Sequence, residues 1–312
     1  MQVSALVEPR FSRAQAGLFD NWVFMGDSLT EGVGASRVSY VTELAYLIRQ
    51  KVKDGALPNE LRAHLLRLRS VDADSHSRFV AFNLAGFIDK DEPAGRANLW
   101  LWNLACEGKM IDSDKEWLGL LEAIAPSVVV IFRGGLESII RPTEFHDGSW
   151  PWWVPNTWRG YAAMDPRCYF STTWWRKPKQ RAVDAAKQKA RIRLLNTSGG
   201  RPMIELDKFI ETYQILLANI KRFKSRIIIA GMLPVDDASF PGSAKQFHLL
   251  NGELCAMAER EGVEFLDWGS VVESQVNKSD LYYRDGFHFN ANGARLLARL
   301  IFQHIFEEAE RA

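Results

Sequence analysis

The run Val128–Phe132, VVVIF, constrains the fold of this chain more than any other stretch. It is wholly apolar and shows no alternation of in and out, so as a strand it must be covered on both faces. Coverage of both faces is the condition of a parallel sheet flanked by helices. Four further runs read as strands: Asn21–Met25 (NWVFM), Leu99–Leu104 (LWLWNL), Ile227–Ala230 (IIIA) and Val263–Leu266 (VEFL). Helical spacing fills the intervals, over Val41 to Val52, Trp117 to Ile124, Met203 to Phe223, Leu249 to Arg260 and Asn292 to Glu308. The alternation predicts an α/β fold, a three-layer α/β/α sandwich on a parallel sheet of about five strands. In such sheets the working residues gather at the carboxyl ends of the strands.

Two stretches interrupt the alternation. Lys53 to Arg96 contains a predicted helix, Leu61–Arg69, and a short apolar run, Phe79–Leu84. Ile140 to Pro202 separates the third strand from the long helix that follows. Neither repeats internally. Both read as insertions, at about 53–96 and 140–202, into one domain spanning 1–312, the second placed to act as a lid or cap.

Charge first excludes a polyanion-binding chain as a whole: 39 Lys and Arg stand against 38 Asp and Glu, a net of +1. That balance is a cancellation. The segment 140–202 carries twelve Lys and Arg against four Asp and Glu, a net of +8, and leaves −7 on the remainder. It also holds six of the 11 tryptophans: Trp150, Trp152, Trp153, Trp158, Trp174 and Trp175. Its basic residues, many on a helix-like stretch from Lys179 to Leu195, suit an acidic group or an anionic membrane surface, so peripheral membrane contact stays open. No nucleic-acid recognition motif accompanies them, and no nucleic-acid partner is expected.

No apolar run reaches the ~20 residues of a membrane-spanning helix. Met1 to Asp20 has no apolar leader segment, and the expected location is cytoplasmic. Cys106, Cys168 and Cys255 lie far apart, without C-x-x-C spacing, and read as reduced thiols rather than a disulfide framework or a zinc site.

Chemistry concentrates at two places. The first strand runs into Gly26-Asp27-Ser28-Leu29-Thr30-Glu31-Gly32. A serine on a tight strand-to-helix turn is held out from the sheet, with its N–H at a helix N-terminus where developing negative charge is favoured. The same residues also serve as a plain helix cap. The second place is Asp285-Gly286-Phe287-His288, just before the last helix. A serine hydroxyl needs a base, imidazole suits neutral pH, and a carboxylate three residues away on the same loop orients and steadies it. His64, His76, His146, His248 and His304 have no comparable carboxylate setting.

GDSLTEG after the first strand, together with DGFHFNANGARLLA before the last helix, resembles the GDSL or SGNH hydrolases, a family of esterases and lipases. The resemblance runs from about Trp22 to the C-terminus, excluding the insertions. It implies a flavodoxin-like sheet, Ser28 as nucleophile, His288 as base, Asp285 as its orienting partner, and no metal or organic cofactor. It also implies an oxyanion hole built from the N–H groups of Ser28 and of a glycine after the second strand. Gly108, in Asn103-Leu104-Ala105-Cys106-Glu107-Gly108, is the first choice, and Gly86 is a rival.

The chain departs from the family at the third donor. Where the family has Gly-x-Asn-Asp, this chain reads Gly134-Gly135-Leu136-Glu137 after Arg133. Leucine cannot donate a hydrogen bond, and loss of one such donor typically costs ~10²–10³ in turnover. Either activity is low, or another donor such as Arg133 substitutes, or the fold has lost hydrolysis. Candidate substrate contacts are Asp27, Arg133, Trp150, Trp152 and Trp153. The expected activity is hydrolysis of an acyl ester on a carbohydrate or lipid-like substrate through an acyl-enzyme. A non-hydrolytic binding protein and an acyltransferase on the same fold are the alternatives.

Overall fold

The computed structural model describes residues 21–32, 39–55, 63–71, 78–83, 99–160, 163–274 and 278–309. Strand β1 (Asn21–Gly26) lies at the centre of the sheet. A seven-stranded sheet is built outward from it, with β2 (Ala63–Val71), β3 (Arg78–Asn83) and β4 (Leu99–Asn103) on one side. On the other side lie β5 (Val128–Phe132), β8 (Arg226–Ala230) and β9 (Glu264–Leu266), in the order β3-β2-β4-β1-β5-β8-β9. Strands β6 and β7 belong to a separate ribbon described below. Six strands, β2-β4-β1-β5-β8-β9, are parallel, and the five from β4 to β9 follow the flavodoxin-like order. Every residue of β5 is buried, as an unalternating apolar strand requires. Each such side chain contributes about 1.5–3 kcal/mol of burial.

The edge corrects one expectation. Of the expected helix Leu61–Arg69, the described residues 63–69 are not helical. Residues 63–71 are β2, which extends the sheet parallel to β4, and β3 then returns antiparallel. The apolar–basic alternation Leu66-Arg67-Leu68-Arg69 has the period of a strand. The good helix propensity of Leu and Arg yields to the unfilled hydrogen-bonding edge of β4.

Helices α1 (Ser28–Glu31), α2 (Tyr40–Lys53), α3 (Leu118–Ile124) and α4 (Gly135–Ser138) follow the first strands. Helix α5 (Glu144–Asp147) and α6 (Arg176–Ser198) lie in the insertion. Helices α7 (Leu206–Lys221), α8 (Ser243–Glu261), α9 (Trp268–Glu273) and α10 (Ala291–Ala309) complete the chain. Helix α2 packs on α10, and α3 and α8 pack on α7, flanking the sheet.

The 140–202 insertion closes on itself. Strand β6 (Arg141–Pro142) pairs antiparallel with β7 (Gly200–Arg201), so the two ends meet at a narrow neck. Above the neck, Val154, Met164, Ala190 and Leu194 form a small core of their own, and Phe145, Trp150, Trp153 and Trp158 pack against it. The buried Arg191 of α6 ties this unit to the main body, donating to the carbonyls of Ile140 at 3.0 Å and Ser239 at 3.3 Å.

Candidate active site

The turn that carries Ser28 is shaped by close approach. A Cβ at Gly26 would sit 2.0 Å from Thr30 Oγ1, so only glycine lets β1 turn this tightly into α1. Asp27 caps the helix, its Oδ1 accepting from the Leu29 N–H at 2.9 Å. Ser28 follows as the first helical residue.

The loop after residue 280 presents the partner. Tyr282 and Phe289 form an isolated antiparallel bridge, and the Tyr283 N–H donates to the His288 carbonyl at 2.8 Å. Gly286, with φ of +66°, closes the turn between them, and a Cβ there would meet Asp236 Cβ at 2.5 Å. This turn brings residues three apart face to face. Asp285 Oδ1 accepts from the N–H groups of Phe287 and His288, both at 3.1 Å. Its Oδ2 lies 2.7 Å from His288 Nδ1, and His288 Nε2 lies 3.0 Å from Ser28 Oγ. The carboxylate selects the tautomer with the proton on Nδ1, which leaves Nε2 to accept from the serine. Burial pushes the Asp285 carboxyl upward. The hydrogen bond and charge of His288, the Cys168 thiol and the Phe287 amide outweigh that and hold it below its ordinary range.

The loop carrying Gly108 is laced to the turn of Ser28. Asn103 Nδ2 donates to the Thr30 carbonyl at 2.9 Å, and its Oδ1 accepts from the Ala105 N–H at 3.1 Å. Glu31 Oε2 accepts from the Glu107 N–H at 2.6 Å. Gly108 has φ of +73°, a conformation that favours glycine. Gly86 lies outside the described residues.

Asp27 and Arg133 do not serve as the expected substrate contacts. Asp27 is 2% exposed and spent on capping α1, with a further bond from the Leu136 backbone amide. Arg133 is fully buried. Its Nε donates to Asp114 Oδ2 at 2.8 Å, its Nη2 to Asp114 Oδ1, and its Nη1 to the Lys109 carbonyl at 2.7 Å. An apolar environment holds both ions only as a pair, so Arg133 has no freedom to replace the missing asparagine. Leu136 occupies α4 with its side chain buried. Glu137, at the family's aspartate position, accepts from the Ile111 N–H at 2.8 Å through Oε1, while its Oε2 is buried without a partner. Burial raises its carboxyl to about 7 against the opposing pull of Arg133.

The tryptophans divide. Trp150 and Trp153 pack against the insertion's own core, Trp150 edge-on to Phe145 at 4.8 Å between centroids. Partial burial of these rings helps hold the insertion together. Trp152 is 92% exposed.

Two neighbours of the site had little or no sequence signal. Arg284 donates to Asp184 of α6 at 2.7 Å and to the Arg167 carbonyl at 3.1 Å, with its guanidinium 3.9 Å from the Phe170 ring centroid. It thereby clamps segment 167–170 of the insertion against the loop of Asp285. That clamp lays Cys168 Sγ 3.2 Å from His288 Nδ1. Adjacency to Asp285 is the one hint for Arg284. Nothing in the spacing of three distant cysteines marks Cys168.

No protein-family model and no curated protein sequence matches the chain. Solved structures do. A lipase/acylhydrolase from Enterococcus faecalis is 15% identical with a TM-score of 0.51, over 92% of this chain and 95% of that one. An acetyl-xylooligosaccharide esterase from Geobacillus stearothermophilus is 13% identical with a TM-score of 0.51, over 93% and 95%. The chain therefore shares the fold of these two structures, an α/β sandwich on a parallel sheet. No helix of the described residues is long and apolar enough to cross a membrane.

Proposed function

We propose that the protein is a serine esterase that hydrolyses an acyl ester through an acyl-enzyme. The observation that carries this reading is the hydrogen-bonded chain from Ser28 Oγ through His288 to Asp285, at 3.0 and 2.7 Å. His288 Nε2 takes the serine proton as Oγ attacks the ester carbonyl. The proton then passes to the leaving alkoxide, and a water activated by the same nitrogen releases the acid. Asp285 stabilises the imidazolium formed in both steps. The N–H groups of Ser28 and Gly108 bind the oxyanion, and the lacing of both loops keeps these donors fixed before reaction, where preorganisation matters most.

The substrate is an acyl ester carried on a carbohydrate or a lipid-like alcohol. The carbohydrate half draws on the esterase named among the similar folds, and the insertion beside the site suits either. Leu136 is the observation that favours a non-hydrolytic protein on this fold. The assembled serine–histidine–aspartate chain weighs against it. An acyltransferase would share the acyl-enzyme and differ in its acceptor, and is distinguished by adding a sugar alcohol to the assay. Covalent labelling of Ser28 by a fluorophosphonate tests the reading directly.

A further inference from the structure

Cys168, Asp285 and His288 bring a thiol, a carboxylate and an imidazole together, with one ligand atom from each within 4.8 Å of the others. Sγ lies 3.2 Å from Nδ1, and Nδ1 lies 2.7 Å from Asp285 Oδ2. The remaining carboxylate oxygen, Oδ1, is fixed by the Phe287 and His288 amides, so Oδ2 is the one aimed at the cluster. The thiol arrives from a different part of the chain and is held there by the Arg284 clamp on Arg167 and Phe170. Three donor atoms from two separate segments therefore converge at one point, on the side of the imidazole away from Ser28.

We propose that Cys168, His288 Nδ1 and Asp285 Oδ2 form an inhibitory site for a thiophilic divalent cation, zinc foremost. The inhibition rests on the esterase reading above, but the site itself does not. The donor set selects the ion: thiolate and imidazole favour zinc and cobalt, whereas magnesium and calcium require oxygen donors in greater number. In a tetrahedral zinc site neighbouring ligand atoms lie roughly 3.3–3.6 Å apart. The Sγ–Nδ1 spacing of 3.2 Å needs to open by a few tenths of an ångström and the Nδ1–Oδ2 spacing of 2.7 Å by roughly 0.6 Å, and a water completes the fourth position. On binding, the Cys168 thiol gives its proton to solvent and its sulfur bonds the metal. The imidazole proton moves from Nδ1 to Nε2 as Nδ1 donates its lone pair to the ion. No electron changes hands.

That exchange stops catalysis. With Nδ1 on the metal, Nε2 carries the ring's proton and donates to Ser28 Oγ instead of accepting from it, so the serine has no base. Asp285 is also drawn from the imidazole to the ion.

The test uses the full chain, with zinc, cobalt(II) and magnesium as probes. Wild-type hydrolysis of a p-nitrophenyl ester should be abolished by zinc, restored by a chelator and indifferent to magnesium. Cys168→Ala and the near-isosteric Cys168→Ser, each measured against its own zinc-free rate, should need at least about tenfold more zinc. Cobalt(II) should give a thiolate-to-metal charge-transfer band in the wild type that is absent from both variants. Equal zinc sensitivity in wild type and variants, or cobalt binding without that band, would overturn the proposal. A Cys168-dependent band in a protein that hydrolyses no ester would support the site and count against the esterase reading, so the two failures are distinguishable.

Discussion

Arg133 and Asp114 form a forked ion pair with both side chains fully sealed from solvent. Burial alone would lower the Arg133 pKa, and the Asp114 carboxylate more than reverses it. Burial raises Asp114 in turn, against the pull of Arg133. The pair sits under the loop after β5, so a position that reads from sequence as a spare oxyanion donor is a structural ion.

Arg133→Met should therefore act on stability and leave substrate binding alone. Removing one partner of a buried pair costs about 3–5 kcal/mol, because the other charge is left uncompensated. The variant should melt far below wild type, with KM unchanged in whatever fraction stays folded. Coupling it to Asp114→Leu should recover much of the melting temperature. A raised KM without loss of stability would return Arg133 to the substrate site.

Asp285→Asn keeps the shape of the loop and changes the tautomer. The amide oxygen still accepts from the 287 and 288 N–H groups, but the amide nitrogen now faces Nδ1 as a donor. The ring proton is driven to Nε2, and kcat should fall by about 10⁴, as in the analogous change in a serine protease triad. Steady-state rates on a p-nitrophenyl ester, with a thermal melt as the folding control, measure this. A fall of less than tenfold would mean that Asp285 does not set the tautomer.

Leu136→Asn tests the missing donor. With Arg133 committed to Asp114 and Lys109, it supplies no replacement. An asparagine amide should raise turnover toward the ~10²–10³ that one oxyanion donor is worth. Unchanged turnover in a folded variant would show that another group already fills the place.

Glu137 makes stability depend on pH. Its folded pKa of about 7 lies above the ordinary 4.5, so the folded state holds a proton that the unfolded chain releases. The stabilisation is complete below about pH 4.5 and is lost as pH rises through about 7, a change of about 3 kcal/mol. Glu137→Gln should abolish that fall while keeping the acceptor for the Ile111 amide. Denaturant melts at pH 5 and pH 8 measure it, and an equal fall in both proteins would contradict the assignment.

The sheet was legible because its centre obeys one rule. Strands such as VVVIF are buried on both faces and need no partner information to be recognised, and β5 runs over the very residues the pattern marks. The edge was less legible, since β2 becomes a strand only because β4 offers it an unfilled edge. At the site, Ser28, Asp285 and His288 were readable from two local turns. What the sequence hides is burial. Nothing in Arg133-Gly134-Gly135 announces that the guanidinium turns inward to Asp114. Nor does any spacing place Cys168 against His288, because that contact depends on how the closed insertion docks on the loop of Arg284. Trp150 and Trp153 are ambiguous in sequence for the same reason: rings suited to a ligand also build the core of a small unit.

The account stands most directly on Ser28. A fluorophosphonate probe, followed by peptide mapping, should label native protein at Ser28 and at no other residue. Labelling and p-nitrophenyl ester hydrolysis should both vanish in Ser28→Ala while its melting curve stays close to wild type. Absence of labelling in folded wild-type protein, or hydrolysis that survives in Ser28→Ala, would contradict the esterase reading.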